Sequence, residues 1–197
     1  MRPSAILLLT TLSALSASCQ IKENHVWAPT ARVSAVVAES YDAQISGPGY
    51  SLGGDTEYRA VDLAIGTQLY EVQEDGSRVP VELIDFVIGR ASFGDADATE
   101  VSAGGRFYIP TELQKMHPFV SVYTVTTALD DLDGISSTGQ LGLRVGGGVA
   151  YFFSENAFVD LGIDYTVPLI AAETETFPAI DIELDGMALR LGVGLSF

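Results

Sequence analysis

The last twelve residues, GMALRLGVGLSF (186–197), alternate strictly between large apolar and small side chains. A β-strand places successive side chains on opposite faces, so a period of two indicates a strand. One file is apolar: Met187, Leu189, Leu191, Val193, Leu195 and Phe197. The other contains small residues and one arginine: Ala188, Arg190, Gly192, Gly194 and Ser196. The pattern therefore predicts a strand with one bulky apolar face and one face of mostly small side chains, which suits a crowded interior.

Seven further segments show similar alternation, and clusters of Gly, Asp, Asn, Ser and Pro separate them. The first of these segments is the weakest, since ARVSAVVAESYD could also form a short helix. In the hairpin between the last two of them, SEN (154–156) predicts a three-residue turn that pairs Phe153 with Ala157. The eight predicted strands are 31–42, 57–71, 79–91, 98–110, 118–128, 139–153, 157–168 and 186–197. This succession predicts an all-β, antiparallel, up-and-down barrel.

The face of small residues indicates which kind of barrel this is. A soluble barrel needs a polar exterior, whereas a membrane barrel turns its apolar file to lipid and its polar file to the lumen. Lysine occurs only at Lys22 and Lys115, which is too little to coat a surface in water. An arginine facing lipid at mid-bilayer would cost about 2 to 4 kcal/mol. We therefore expect a transmembrane barrel with Arg106, Arg144 and Arg190 in its lumen.

Three stretches resemble a known family. They are the terminal strand ending in Phe197, the segment HPFVSVYTV (117–125) after TELQKM, and GLRVGGGVAYFFSENAFVDLGIDY (142–165). All three resemble the small eight-stranded outer-membrane barrels of the OmpA/OmpX type. The resemblance implies a location in the bacterial outer membrane, with outer-membrane lipid around the barrel. It also implies that Phe197 is part of the signal that the barrel assembly machinery reads during insertion.

The N-terminus has the pattern of a targeting segment. Arg2 precedes an apolar run and the small residues 16–18, which predicts a secretory signal peptide over 1–18. The only cysteine follows, and LSASCQ resembles a bacterial lipoprotein box in which Cys19 becomes acylated; ordinary signal cleavage nearby is the alternative. We expect a short tether over 19–30 and the barrel over 31–197.

Composition argues against several other functions. A net charge of −16 is unsuited to nucleic acid, whose phosphates require clustered Lys and Arg. Of the two histidines, His25 falls in the tether and His117 at a predicted periplasmic turn, away from the outer leaflet where barrel enzymes act, and His117 with Ser121 does not have the spacing of a catalytic dyad. The acidic run DDLDG (130–134) lacks the later ligands of a calcium loop. We therefore predict no catalysis, no cofactor and no metal site.

The predicted lumen contains charges of both signs. Buried charges must be paired, so we expect one connected network that closes the lumen. Its members are Asp62, Arg106, Arg144, Asp160, Asp164 and Arg190. A closed lumen favours an anchoring or loop-presenting role with an extracellular partner that the sequence does not identify. The alternatives are a narrow small-solute channel, in which the same charges line a water path, and a soluble ligand-binding barrel.

Overall fold

The computed structural model describes residues 24–47, 49–113, 115–129, 139–173 and 181–197. It contains nine strands and, among these residues, no helix long and apolar enough to cross a membrane. The strands are β1 (His25–Gly47), β2 (Tyr50–Val72), β3 (Arg78–Phe93), β4 (Ala96–Tyr108), β5 (Met116–Leu129), β6 (Gln140–Ser154), β7 (Ala157–Ile170), β8 (Ala172–Glu173) and β9 (Asp181–Ser196).

Eight of these strands form a closed antiparallel barrel. Each pairs with the next in sequence order, β7 pairs with β9, and β9 closes on β1; the two-residue β8 only extends the edge of β9. One circuit of paired residues ends ten residues from its start: Ser196, Thr30, Gly66, Asp85, Gly104, Tyr123, Arg144, Thr166, Gly186. For eight strands this stagger requires a tilt of about 40°, as membrane barrels have.

Side chains alternate between the two faces of the wall. On β9, the file from Met187 to Phe197 is exposed and the file from Ala188 to Ser196 is buried in the lumen. Ten residues at about 3.3 Å each, on a strand tilted by about 40°, give an apolar band about 25 Å tall, the height of a membrane barrel's lipid-facing surface. Exposed aromatic side chains mark the end of the band where β1 begins and β9 ends: Trp27, Tyr151, Phe153 and Phe197.

We call this end the terminal end and the opposite one the loop end. At the terminal end, aromatic and apolar side chains fill the lumen: Ala28, Tyr70, Leu83, Tyr108, Phe119, Ala150, Phe152 and Phe158. At the loop end a second cluster does the same: Val36, Tyr41, Tyr58, Ala60, Ala91, Phe93, Ala98, Ile182, Leu184 and Ala188. The buried arginines and aspartates lie between these two clusters.

The first strand is longer than the sequence indicated. It begins at His25, so the last six residues of the predicted tether are strand, and Trp27 pairs with Leu69. The helical alternative for 31–42 is wrong. Residues 43–56, which separate the first two predicted strands, mostly continue β1 and β2 as a long hairpin. Pairing of β1 with both β2 and β9 satisfies its backbone on both sides and outweighs its weak local pattern.

The turn between β6 and β7 also differs from the prediction. It contains two residues, Glu155 and Asn156, rather than three, and Ser154 pairs with Ala157. A bulge between Phe152 and Ser154 takes up the extra residue. The predicted register of the rest of the hairpin is therefore confirmed, and Arg144 lies opposite Thr166.

Candidate functional site: the charged lumen

All six residues of the predicted network are buried in the lumen. Alternation places them on the inward files of five strands: Asp62 on β2, Arg106 on β4, Arg144 on β6, Asp160 and Asp164 on β7, and Arg190 on β9. The two charged residues of β7 are four positions apart, so both point inward and lie at different heights. The structure thus brings together groups that are up to 128 positions apart in the sequence, from 62 to 190.

Asp160 lies at the centre of the most buried part. Its Oδ2 is 3.1 Å from Nη1 of Arg106, and its Oδ1 is 3.7 Å from Nε of Arg190. Arg190 also contacts Asp164, with 2.6 Å between Nη1 and Oδ2. The Arg106 guanidinium also lies 4.6 Å from the centre of the Phe119 ring, which adds a cation–π contact. One carboxylate therefore contacts two buried cations, and Asp164 supplies a second negative charge for Arg190.

Arg144 pairs with Glu100 rather than with Asp164 of the adjacent strand. Its Nε donates to the Thr166 hydroxyl at 3.0 Å, which directs the rest of the guanidinium across the lumen. There Nη2 donates to both oxygens of Glu100, at 2.9 and 3.1 Å. Glu100 also accepts hydrogen bonds from Tyr58 at 2.7 Å and Thr127 at 3.1 Å. The carboxylate is thus fully occupied.

Sequence reasoning missed three members of the charged lumen: Arg32, Asp85 and Glu100. Arg32 donates to Asp85 at 2.9 Å, and both side chains are buried. Glu100 could have been found, because it is six residues from Arg106 and an even spacing on one strand means the same face. Arg32 was obscured because the first segment was the weakest strand prediction.

Three of the aspartates lie over glycines of the neighbouring strand. Asp62 is paired with Gly89, Asp164 with Gly146 and Asp160 with Gly192. A Cβ on Gly192 would be 2.6 Å from Oδ2 of Asp160, and a Cβ on either of the other two would come still closer to its aspartate. These glycines therefore provide the space in which the carboxylates meet the arginines.

We expect Gly192→Ala to destabilise the barrel by about 1 to 3 kcal/mol, because the new methyl group displaces Asp160 from its arginines. The measurement is urea unfolding of refolded protein in lipid vesicles. Gly54→Ala is the matched control, since a Cβ on this strand glycine would meet no atom within 4 Å. Equal unfolding midpoints for the two variants would contradict the close approach.

Asp62 has a different environment from the other aspartates. It is buried, yet its Oδ1 has no hydrogen-bond partner among the described residues. It borders a cavity of about 10 Å³, enough for about one water molecule. Arg32, Arg144, Arg190, Tyr123 and Ser102 line the same cavity. A bridging water is the simplest way to satisfy these groups together.

The terminal end opens into a wider cavity of about 690 Å³. Its base is formed by Tyr70, Phe152 and His117, whose ring lies 5.5 Å from that of Phe152. The walls are the turns at this end, with Arg78 and Lys115 among mixed charges. The cavity stops at the aromatic cluster and does not reach the charged layer.

The described residues contain no group of three or more His, Cys, Asp or Glu arranged to hold a metal ion. The two histidines lie on separate strands, since His25 begins β1 and His117 is buried on β5. Cys19, the segment 1–18 that is predicted to be a signal peptide, and the acidic run at 130–134 lie outside the described residues.

No protein family model matches the sequence, and no curated protein does. Solved structures do match. Neisserial surface protein A (NspA) is 17% identical with a TM-score of 0.57, over 86% of this chain and 97% of that one. OprG from Pseudomonas aeruginosa is 11% identical with a TM-score of 0.50, over 87% and 95%. AlkL, solved in DMPC bilayers, is 15% identical with a TM-score of 0.52, over 91% and 93%. The chain has the fold of small outer-membrane barrels.

Proposed function

We propose that the chain is a bacterial outer-membrane barrel that anchors and presents its loop end, and that its lumen does not conduct. The observation that carries this proposal is the filling of the lumen. Four arginines and five carboxylates lie buried between two aromatic clusters: Arg32, Arg106, Arg144 and Arg190 with Asp62, Asp85, Glu100, Asp160 and Asp164.

The paired charges oppose conduction for an energetic reason. An ion passing through the lumen would have to replace contacts such as those between Arg106 and Asp160 and between Arg144 and Glu100. Separating a buried pair costs about 3 to 5 kcal/mol. Two such layers in series, with an aromatic layer on each side, support a plug rather than a water path.

The loop end has a feature suited to presentation. β2 pairs with β3 only from Tyr58, but β1 and β2 remain paired as far as Gly47 and Tyr50, and β9 accompanies β1 as far as Ser46. Eight residues of β2 from Tyr58 to Tyr50 extend about 26 Å along the strand at 3.3 Å per residue. We call this three-stranded projection the extension.

The outer wall of the extension is acidic. Asp42 is paired with Asp55 on one side and Asp185 on the other, and Glu183 lies one outward position further along β9. A hydrogen bond with Asp55 is the main cause that raises the pKa of Asp42. Such crowding of carboxylates on the extension favours contact with a partner outside the cell.

Two assignments at the chain ends are part of the same proposal. Acylation of Cys19 would place a lipid eight residues before the exposed Trp27, a span of at most about 29 Å from that side chain and its leaflet. Phe197 ends the exposed file of β9, where an assembly factor could reach it. Both remain predictions.

The test is electrical. We expect refolded wild-type protein to show no steady conductance in planar bilayers, because its lumen is filled. Arg144→Ala and Asp164→Ala each remove one member of the plug and are expected to raise the frequency of brief openings, whereas Arg59→Ala outside the lumen is the control. Steady large conductance from the wild type would contradict the plug and support the narrow channel.

A further inference from the structure

The cations outside the lumen are distributed unevenly. The sequence contains ten Lys and Arg residues, of which four line the lumen. Arg2 and Lys22 precede β1, and Arg78 and Lys115 lie at the terminal end. The remaining two, Arg59 and Arg90, lie on the outer wall towards the loop end. The sequence places no other cation at that end, since 130–138 and 174–180 contain neither Lys nor Arg.

The strand register brings these two arginines side by side. Arg59 is paired with Ser92, and Arg90 with Val61, so the two are diagonal neighbours on the outward face of β2 and β3. Diagonal neighbours are about 7 to 8 Å apart, within reach of long side chains. Because the strands are tilted, a residue of β3 lies nearer the loop end than its paired residue on β2. Ser92 is therefore higher than Arg59, and Arg90, two residues nearer the terminal end, lies at nearly the same height as Arg59.

Their height coincides with the edge of the apolar band. The next outward residue towards the terminal end is Val61 below Arg59 and Ile88 below Arg90, and both apolar side chains are exposed. The carboxylates of Asp42 and Asp55 lie further out on the extension. The arginine side chains are 71% and 59% exposed and therefore accessible from the surrounding bilayer. Guanidinium groups at this level would lie among the lipid headgroups.

The contacts seen within the protein are of a kind that a lipid can displace. Arg59 contacts Glu57 at 2.7 Å, and Arg90 donates to Thr99 at 3.0 Å and lies 3.8 Å from Asp97. Exposed pairs of this type contribute little to stability. A phosphate accepts two parallel hydrogen bonds from an arginine, which makes it a strong competitor at such a site.

We propose that Arg59 and Arg90 bind the phosphate of an outer-leaflet lipid whose acyl chains lie against Val61, Leu63, Phe86 and Ile88. The inference rests on the proposed membrane location of the barrel. This lipid site lies on the outer wall and is separate from both the charged lumen and the extension. The phosphate is taken to belong to a lipid because the site continues directly into the apolar band.

The test compares wild type with the double variant Arg59→Gln/Arg90→Gln by native mass spectrometry of detergent-solubilised, refolded protein. The probes are diphosphorylated lipid A and the same lipid after phosphatase treatment. We expect wild type to prefer the phosphorylated form, and the double variant to bind it about tenfold more weakly. Arg78→Gln, which removes an exposed arginine at the terminal end, should bind like wild type.

Two further arms separate the alternatives. If the arginines serve only their ion pairs, the variant Glu57→Gln/Asp97→Asn will bind lipid A as wild type does. Equal binding of lipid A by wild type and by Arg59→Gln/Arg90→Gln will overturn the proposal. Displacement of lipid A by millimolar inorganic phosphate would indicate a free-anion site instead. Heat-modifiable gel mobility reports membrane insertion separately. If the double variant inserts and binds lipid A as tightly as wild type, only the lipid site is refuted. If wild type does not insert, the proposed function is refuted.

Discussion

Asp160→Ala is expected to lower the free energy of unfolding by about 3 to 5 kcal/mol, because it leaves two enclosed arginines without their shared carboxylate. Arg106 is the more affected of the two, since its side chain has no exposed surface, whereas Arg190 keeps its contact with Asp164. Urea unfolding of refolded protein in lipid vesicles measures the change.

Two variants make this result specific to the charged lumen. Asp97→Ala removes a carboxylate that is 65% exposed and should change the unfolding free energy by less than about 0.5 kcal/mol. Adding Arg106→Met to Asp160→Ala removes the stranded charge and should recover part of the loss, so the two effects are not additive. A loss below about 1 kcal/mol for Asp160→Ala would mean that water enters the lumen and screens the arginines.

Leu191→Arg is expected to cost about 2 to 4 kcal/mol in a bilayer. Leu191 is 57% exposed near the middle of the apolar band, four residues from Met187 and six from Phe197. An exposed leucine of a barrel surrounded by water could accept arginine at almost no cost. The measurement is again urea unfolding in vesicles, and it tests directly what lies outside the wall.

Leu52→Arg is the matched control. Leu52 is 67% exposed, but it lies on the extension beyond the point where β2 and β3 begin to pair. Because the cost of a charge falls to about 0 to 1 kcal/mol outside the hydrocarbon layer, this variant should unfold almost like wild type. Similar small effects at both positions would be inconsistent with lipid around the band.

The local pattern predicted the strands with good accuracy where alternation was strong. In β7 and β9 the inward and outward files were both read correctly, and the inward position of Arg190 followed from the cost of arginine in lipid. The first strand was the exception. Its start at His25 and its length depend on pairing with β2 and β9, which leaves no signal in the segment itself.

The pairing of charges could not be read from the strands alone. Arg144 and Asp164 lie on adjacent strands, yet Arg144 reaches Glu100 on β4 across the lumen. Which residues face each other depends on the stagger of the closed barrel and on the bulge near Phe153. Neither is encoded in the alternation of a single strand.

Sequence by itself determined which side of the wall each residue occupies, because a period of two and the cost of charge in lipid are local properties. Only the tertiary structure decided which arginine meets which carboxylate. Contact across the lumen is set by how eight strands close with a stagger of ten residues, which brings Arg32 to Asp85 and Arg106 to Asp160. The pairing of β7 with β9 places Gly192 opposite Asp160. A larger residue at position 192 would occupy the space of the Asp160 carboxylate.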